Sequence, residues 1–163
     1  MIKICSAMPV KSKFNFFAIL IVSFITVLPF LVVYLSATSP VAGMILPLLL
    51  LLFIVFFWLT IFRTRGHKIV IEGNIIIVKR YFGIGKSAAY DFNTLDGFIV
   101  IFESAKGSVY ESVFILKNGK RIGSISSFYH SNFDQLKSIL NDKLIDLGVR
   151  ECTFVGESSE LFK

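Results

Sequence analysis

Two uncharged runs constrain what this chain can fold into more than any other feature. Phe14–Leu35 and Val41–Phe62 each hold 22 residues without an acid or a base, separated by Ser36-Ala37-Thr38-Ser39-Pro40. A helix rises about 1.5 Å per residue, so either run reaches roughly 33 Å and covers a hydrocarbon core of about 30 Å. Buried helices of soluble proteins rarely stay uncharged for so long, and two in tandem are rarer still. The runs predict a two-helix transmembrane hairpin over 14–62, with spans at 14–35 and 41–62. Trp58 stands near the end of the second run, where interfacial anchors gather. Neither run contains a charge from which an ion path or proton relay would be built, so the hairpin reads as an anchor.

Charge orients it. Residues 1–13 form a basic N-terminus with Lys3, Lys11 and Lys13 and no acid. Residues 63–86 carry Arg63, Arg65, Lys68, Lys79, Arg80 and Lys86 against Glu72 alone. Beyond residue 86 the chain has eight bases and ten acids, so the formal net charge of +6 is concentrated beside the runs. Lys and Arg flanking a span favour the cytoplasmic side, and the break between the runs has neither. The chain is therefore expected in the cell membrane, multi-pass, with both termini cytoplasmic. A cleaved signal peptide is the rival reading, since a basic start and Ser36-Ala37 resemble a cleavage site. Its apolar region would exceed the usual length of about 7–15 residues, and a second run follows at once.

After Arg65-Gly66 the period changes to that of extended chain. Six strands are expected: 67–71, 75–82, 87–92, 95–103, 109–117 and 120–126. Glu72-Gly73-Asn74 marks one hairpin, and Asn118-Gly119 marks another, because a type I′ turn needs positive φ at both positions. Phe98 to Phe102 reads as buried on both faces. Phe133, Leu136, Ile139, Leu140, Leu144 and Leu147 then recur at helical steps, predicting an amphipathic helix over 132–147. Ser131 and Asn132 are its N-cap candidates and Gly148 its C-cap candidate. The domain is bounded at 66–148, and the tail, 149–163, is given a short strand at 152–155.

Strands in hairpin order followed by one amphipathic helix describe a pleckstrin-homology-like barrel. On Ile69-x-Ile71-x-Gly73-Asn74-x-Ile76-x-Val78, Asp91-Phe92-x-x-Leu95-Asp96-Gly97-Phe98, Leu116-x-Asn118-Gly119-Lys120 and the helix from Asn132, the sequence resembles small bacterial inner-membrane proteins with a PH-like domain beside a two-span hairpin. The resemblance covers residues 14–147. It implies a membrane α-helical hairpin followed by an α+β PH-like barrel, with six or seven antiparallel strands capped by one C-terminal helix. The seventh strand would lie within 109–126 or in the tail. These are turn and core residues, so the resemblance speaks to architecture and not to activity.

Motifs that would carry chemistry fail on spacing or context. Gly83-Ile84-Gly85-Lys86-Ser87 ends like a phosphate-binding loop, but position 80 is Arg and a strand follows where a helix is required. Cys5 and Cys152 offer no disulfide framework, and with His67 and His130 they have no zinc-ligand spacing. No metal or cofactor is expected. His67 and His130 lack a catalytic partner at diagnostic spacing, and Asp91, Asp96, Glu103 and Glu111 read as surface acids. The chain is read as non-catalytic.

Lys68, Lys79, Arg80 and Lys86 are the candidates for facing anionic lipid, with Lys117, Lys120 and Arg121 as further members of a basic face. A solvated polar face is the plain alternative. Tyr81 and Tyr129 are too few for a nucleic-acid stacking surface. The leading expectation is a membrane-anchored cytoplasmic binding or scaffolding module. The alternative is a small membrane-resident immunity or stress protein acting against a membrane-directed toxin. The partners implied are the bilayer, anionic headgroups, a membrane or cytoplasmic protein and a second copy of the chain. Lys79, Arg80 and Lys86 should face the bilayer, leaving the C-terminal helix and the Asn118-Gly119 turn open.

Overall fold

The computed structural model describes residues 8–37, 45–105 and 108–150. A short strand β1 (Val10–Lys11) precedes helix α1 (Phe16–Ser36), whose first turn is capped by the Asn15 side chain accepting from the Phe17 amide. Helix α2 (Ile45–Phe57) runs into a π turn, Trp58–Phe62, and a last α turn, α3 (Arg63–Arg65). α1 and α2 touch, and Phe16–Tyr34 and Pro47–Arg65 are each long and apolar enough to cross a membrane.

Beyond Gly66 come β2 (Lys68–Glu72), β3 (Ile75–Lys79), β4 (Ser87–Asp91), β5 (Gly97–Ala105), β6 (Ser108–Lys117) and β7 (Lys120–Ser126). Helix α4 (Phe133–Lys143) and β8 (Asp146–Val149) complete the order. The strands form two four-stranded sheets, β1-β2-β3-β4 and β7-β6-β5-β8. The first is antiparallel throughout; the second is mixed, because β8 lies parallel to β5. Their facing sides share one core. Ile69, Ile71, Ile76 and Val78 come from the first sheet, Phe98, Val100, Val113, Ile115 and Ile125 from the second, and Phe133, Leu136 and Leu140 from α4. On the opposite side of the second sheet Ile99, Ile101, Phe114 and Leu116 form another buried cluster, so β5 is apolar on both faces up to Ile101. Phe102, included in the expected run, is exposed.

Three features correct the sequence-based expectations. The sheets are not joined by any ladder among the described residues, so the strands form no closed barrel. The outer edge of β2 is taken by β1 and that of β5 by β8, which leaves neither free to pair across the gap. The extra strands accordingly lie at Val10–Lys11 and Asp146–Val149, not within 109–126. The strand expected at 152–155 lies outside the described residues.

The helix is also shorter than its apolar period implies. Leu144 turns extended (φ −127°, ψ 154°), and the Phe98 amide donates to the Ile145 carbonyl at 3.0 Å. Gly97 permits that approach, since a Cβ there would stand 2.4 Å from the Ile145 oxygen. The edge of β5 thus draws Leu147 and Gly148 out of the helical register. At the other end Asn132 does not cap α4. Its Oδ1 accepts from the Lys13 amide and its Nδ2 donates to the Lys11 carbonyl, fastening the chain ahead of α1 to the chain ahead of α4.

Candidate functional site: the joint between helices and sheets

Antiparallel register sorts the charges of the first sheet into two ends. Lys68 pairs with Lys79, and Lys79 with Ser87; four rows away Glu72 pairs with Ile75, and Ile75 with Asp91. Arg80 and Lys86 lie just beyond the Lys79 row, where the Arg80 amide faces the Lys86 carbonyl at 3.4 Å. All four bases singled out in the sequence, Lys68, Lys79, Arg80 and Lys86, therefore gather at the end of the sheet that adjoins α3. Lys117, Lys120 and Arg121 do not join them. They occupy the opposite end, where Lys117 lies over the Tyr90 ring and Arg121 over Phe114. The Asn118-Gly119 turn stands there too, with φ of 52° and 70° as type I′ requires.

The turn linking β3 to β4 is pinned to the helices by rings. Tyr81 stacks on Trp58, with centroids 6.3 Å apart and planes 24° apart. Phe82 meets Phe62 edge-on at 5.3 Å and Phe14 at 5.1 Å, and its amide donates to the Gly66 carbonyl at 2.6 Å. Tyr81 (φ 52°) and Phe82 (φ 55°) are both left-handed, at a cost of about 1–3 kcal/mol each that the ring contacts must offset. Two bonds to the Arg80 carbonyl, from the Gly83 and Gly85 amides, close the turn on itself. At its tip Ile84 is 87% exposed.

Beneath the turn, buried polar groups knit the helix ends to the second sheet. Ser124 Oγ lies 2.9 Å from His67 Nδ1 and within donating distance of the Thr64 and Arg65 carbonyls, at 3.1 and 3.2 Å. With the hydroxyl proton given to a carbonyl, His67 must donate from Nδ1. His130 is the other tautomer: its Nδ1 accepts from the Ser126 amide at 3.2 Å and its Nε2 donates to the His67 carbonyl at 3.0 Å. A bridge between Phe14 and His130 brings in the start of α1, and Ser12 Oγ accepts from the Ile69 amide. The two histidines, about 60 residues apart in sequence, are thus neighbours.

Both imidazoles are neutral. Burial holds the His67 pKa down to about 4, helped by the charge of Arg80. Burial lowers His130 as well, against the nearby His67 and Ser126 carbonyls, to both of which the charged ring would donate. Ser124 and His67 have the separation of a nucleophile and its base, and both are buried.

A cavity of about 190 Å³ opens beside this network, lined by Arg65, Glu103, Tyr110, Ser126, Phe128 and Tyr129. Arg65 ion-pairs with Glu103, whose second carboxylate oxygen is buried without a hydrogen-bond partner. Burial raises the Tyr129 pKa, with Arg65 opposing and Glu103 adding to the shift. Among the acids expected at the surface, Glu103 and Glu111 are paired, with Arg65 and Lys137. Asp91 instead accepts from Asn74 Nδ2 and the Asn93 amide, and Asp96 accepts from the Gly119 amide. No group of three or more His, Cys, Asp or Glu side chains among the described residues is placed to hold a metal. Sequence reasoning missed the histidine–serine network because its members follow no spacing rule. Serines alternating at 124 and 126 on a strand otherwise facing a core were the one available signal. Compared with protein-family models, with curated proteins and with solved structures, the chain matches none.

Proposed function

We propose that this chain is a membrane-anchored binding module of the PH-like kind, held by a two-span hairpin with both termini cytoplasmic. The domain is fastened to the ends of both apolar helices by Asn132, His67, His130 and the Phe14–Phe82–Phe62 rings, so it sits against the bilayer in a set orientation. The basic end of the first sheet then meets the cytoplasmic leaflet, where anionic lipid favours each Lys or Arg by about 1 kcal/mol.

The observation that carries the binding reading is the β8 edge. Among the described residues β8 is an outermost strand of the second sheet, and Leu147 and Val149 on it, with Ile145 just before it, are 43%, 64% and 70% exposed. An extended segment of a partner protein would add to this strand by main-chain hydrogen bonds. A photo-crosslinker at Leu147 of the full chain in native membranes should give one discrete protein adduct that the same probe at Lys120 does not. Equal labelling at both positions, or none at 147, would refute this edge as the binding surface.

The anchor has its own test. Leu50→Arg should impair membrane insertion, because a charge at mid-span costs about 2.5–3.5 kcal/mol on insertion scales. Unchanged carbonate-resistant membrane association and span protection would remove the second span.

A further inference from the structure

We propose that the Tyr81–Lys86 turn is an interfacial anchor that dips Ile84 into the headgroup–acyl boundary of the cytoplasmic leaflet; the inference rests on the hairpin reading above. Its apolar tip is placed beside the helices by construction. Tyr81 stacks on Trp58 and Phe82 packs on Phe62, so the turn stands against the last turns of the second apolar segment. Ile84 is 87% exposed and is flanked in the chain by Arg80 and Lys86, both exposed, with Lys68 and Lys79 on the next row of the sheet. A lone isoleucine between cations, next to an interfacial tryptophan, matches the chemistry of an anionic lipid surface: apolar tip below, positive rim at phosphate depth.

The turn is also built to hold that shape without lipid. The left-handed Tyr81 and Phe82 reverse the chain, Gly83 (φ 100°) leaves room for the Lys68 stem, and the Arg80 carbonyl accepts from both the Gly83 and Gly85 amides. A side chain at Gly83 would put its Cβ 2.8 Å from Lys68 Cδ. The rigid turn keeps Ile84 outward, so insertion requires no ordering of a loop. Charge sorting supplies an independent argument for the occupant. The Ile84 end of the first sheet carries bases without an acid, whereas the opposite end mixes Glu72 and Asp91 with Lys117, Lys120 and Arg121, so an anionic surface favours the Ile84 end.

The test uses the full chain with Cys5 and Cys152 replaced by serine, reconstituted in phosphatidylcholine bilayers with or without phosphatidylglycerol. A fluorophore is attached to Ile84→Cys, to Lys120→Cys or to Phe24→Cys, and quenching by lipid nitroxides at shallow and deep acyl positions is read. Position 84 should be quenched by the shallow nitroxide about twofold or more above position 120, and further when phosphatidylglycerol is present. Position 24 should be quenched by the deep nitroxide. Deep quenching at 24 with no excess at 84 over 120 would overturn the anchor and leave the hairpin standing. Absence of deep quenching at 24 would overturn both. Excess quenching at 84 that ignores phosphatidylglycerol would overturn the role given to the basic rim.

Discussion

The core between the sheets and the joint beneath the helices are both buried, and they are held by different physics. The core is Ile, Val, Leu and Phe from the two sheets and α4, stabilised by area and close packing. The joint holds every buried polar residue among the described ones, Ser12, His67, Ser112, Ser124, Ser126 and His130, with aromatic rings around them. A core of methyl groups tolerates any partner of the right volume. A joint of directional bonds accepts one arrangement, because each buried donor left unpaired costs about 1–3 kcal/mol. Thus the region that fixes how the domain stands on its helices is the one least able to slip.

That contrast can be broken by experiment. The largest effect belongs to the core: Phe98→Ala should cost about 3–5 kcal/mol in denaturant unfolding of the detergent-solubilised chain, with its pH dependence unchanged. A cost under about 1 kcal/mol would mean that the sheets are not packed through Phe98.

The joint should show itself through protons. His67 is neutral when folded, with its pKa held to about 4, whereas an unfolded histidine titrates near 6.5. Across that window the unfolded chain binds the proton and the folded chain does not, so stability falls as pH falls. The difference between the parent and His67→Gln should change by about 3 kcal/mol from pH 7 to pH 4. Parallel curves for the two would show His67 to be solvated.

A smaller effect is expected of Ser124→Ala, about 1–3 kcal/mol, since it strips the His67 Nδ1 proton of its acceptor. The same substitution should loosen the helix ends from β7, read as faster amide exchange at Thr64 to Lys68 with core amides unaffected. Uniform exchange would merge joint and core into one cooperative unit. The smallest effect lies outside both regions. At Gly119 (φ 70°) a Cβ meets nothing within 4 Å, so Gly119→Val should cost only backbone strain, about 1–2 kcal/mol. A stability equal to the parent's would show that the turn relaxes to another type.

What the sequence determined by itself is what depends on near neighbours. The two apolar runs, the six strands from β2 to β7, the turns at Gly73 and Asn118-Gly119 and the apolar stripe of α4 follow from period and turn chemistry, which act over a few residues. The four bases were legible as a set, but their common position at the α3 end came from antiparallel register. Only the tertiary structure decided β1, β8 and the joint. Val10–Lys11 is too short to declare itself and becomes a strand because the edge of β2 is free beside it. Leu144 and Leu147 continue the helical period, but Gly97 lets the backbone after Leu144 reach the edge of β5, and strand pairing overrides propensity there. His67 and His130 stand 63 residues apart, and Asn132 reaches 121 residues back to Lys11. A hydrogen bond reads distance in space, which no spacing along the chain records.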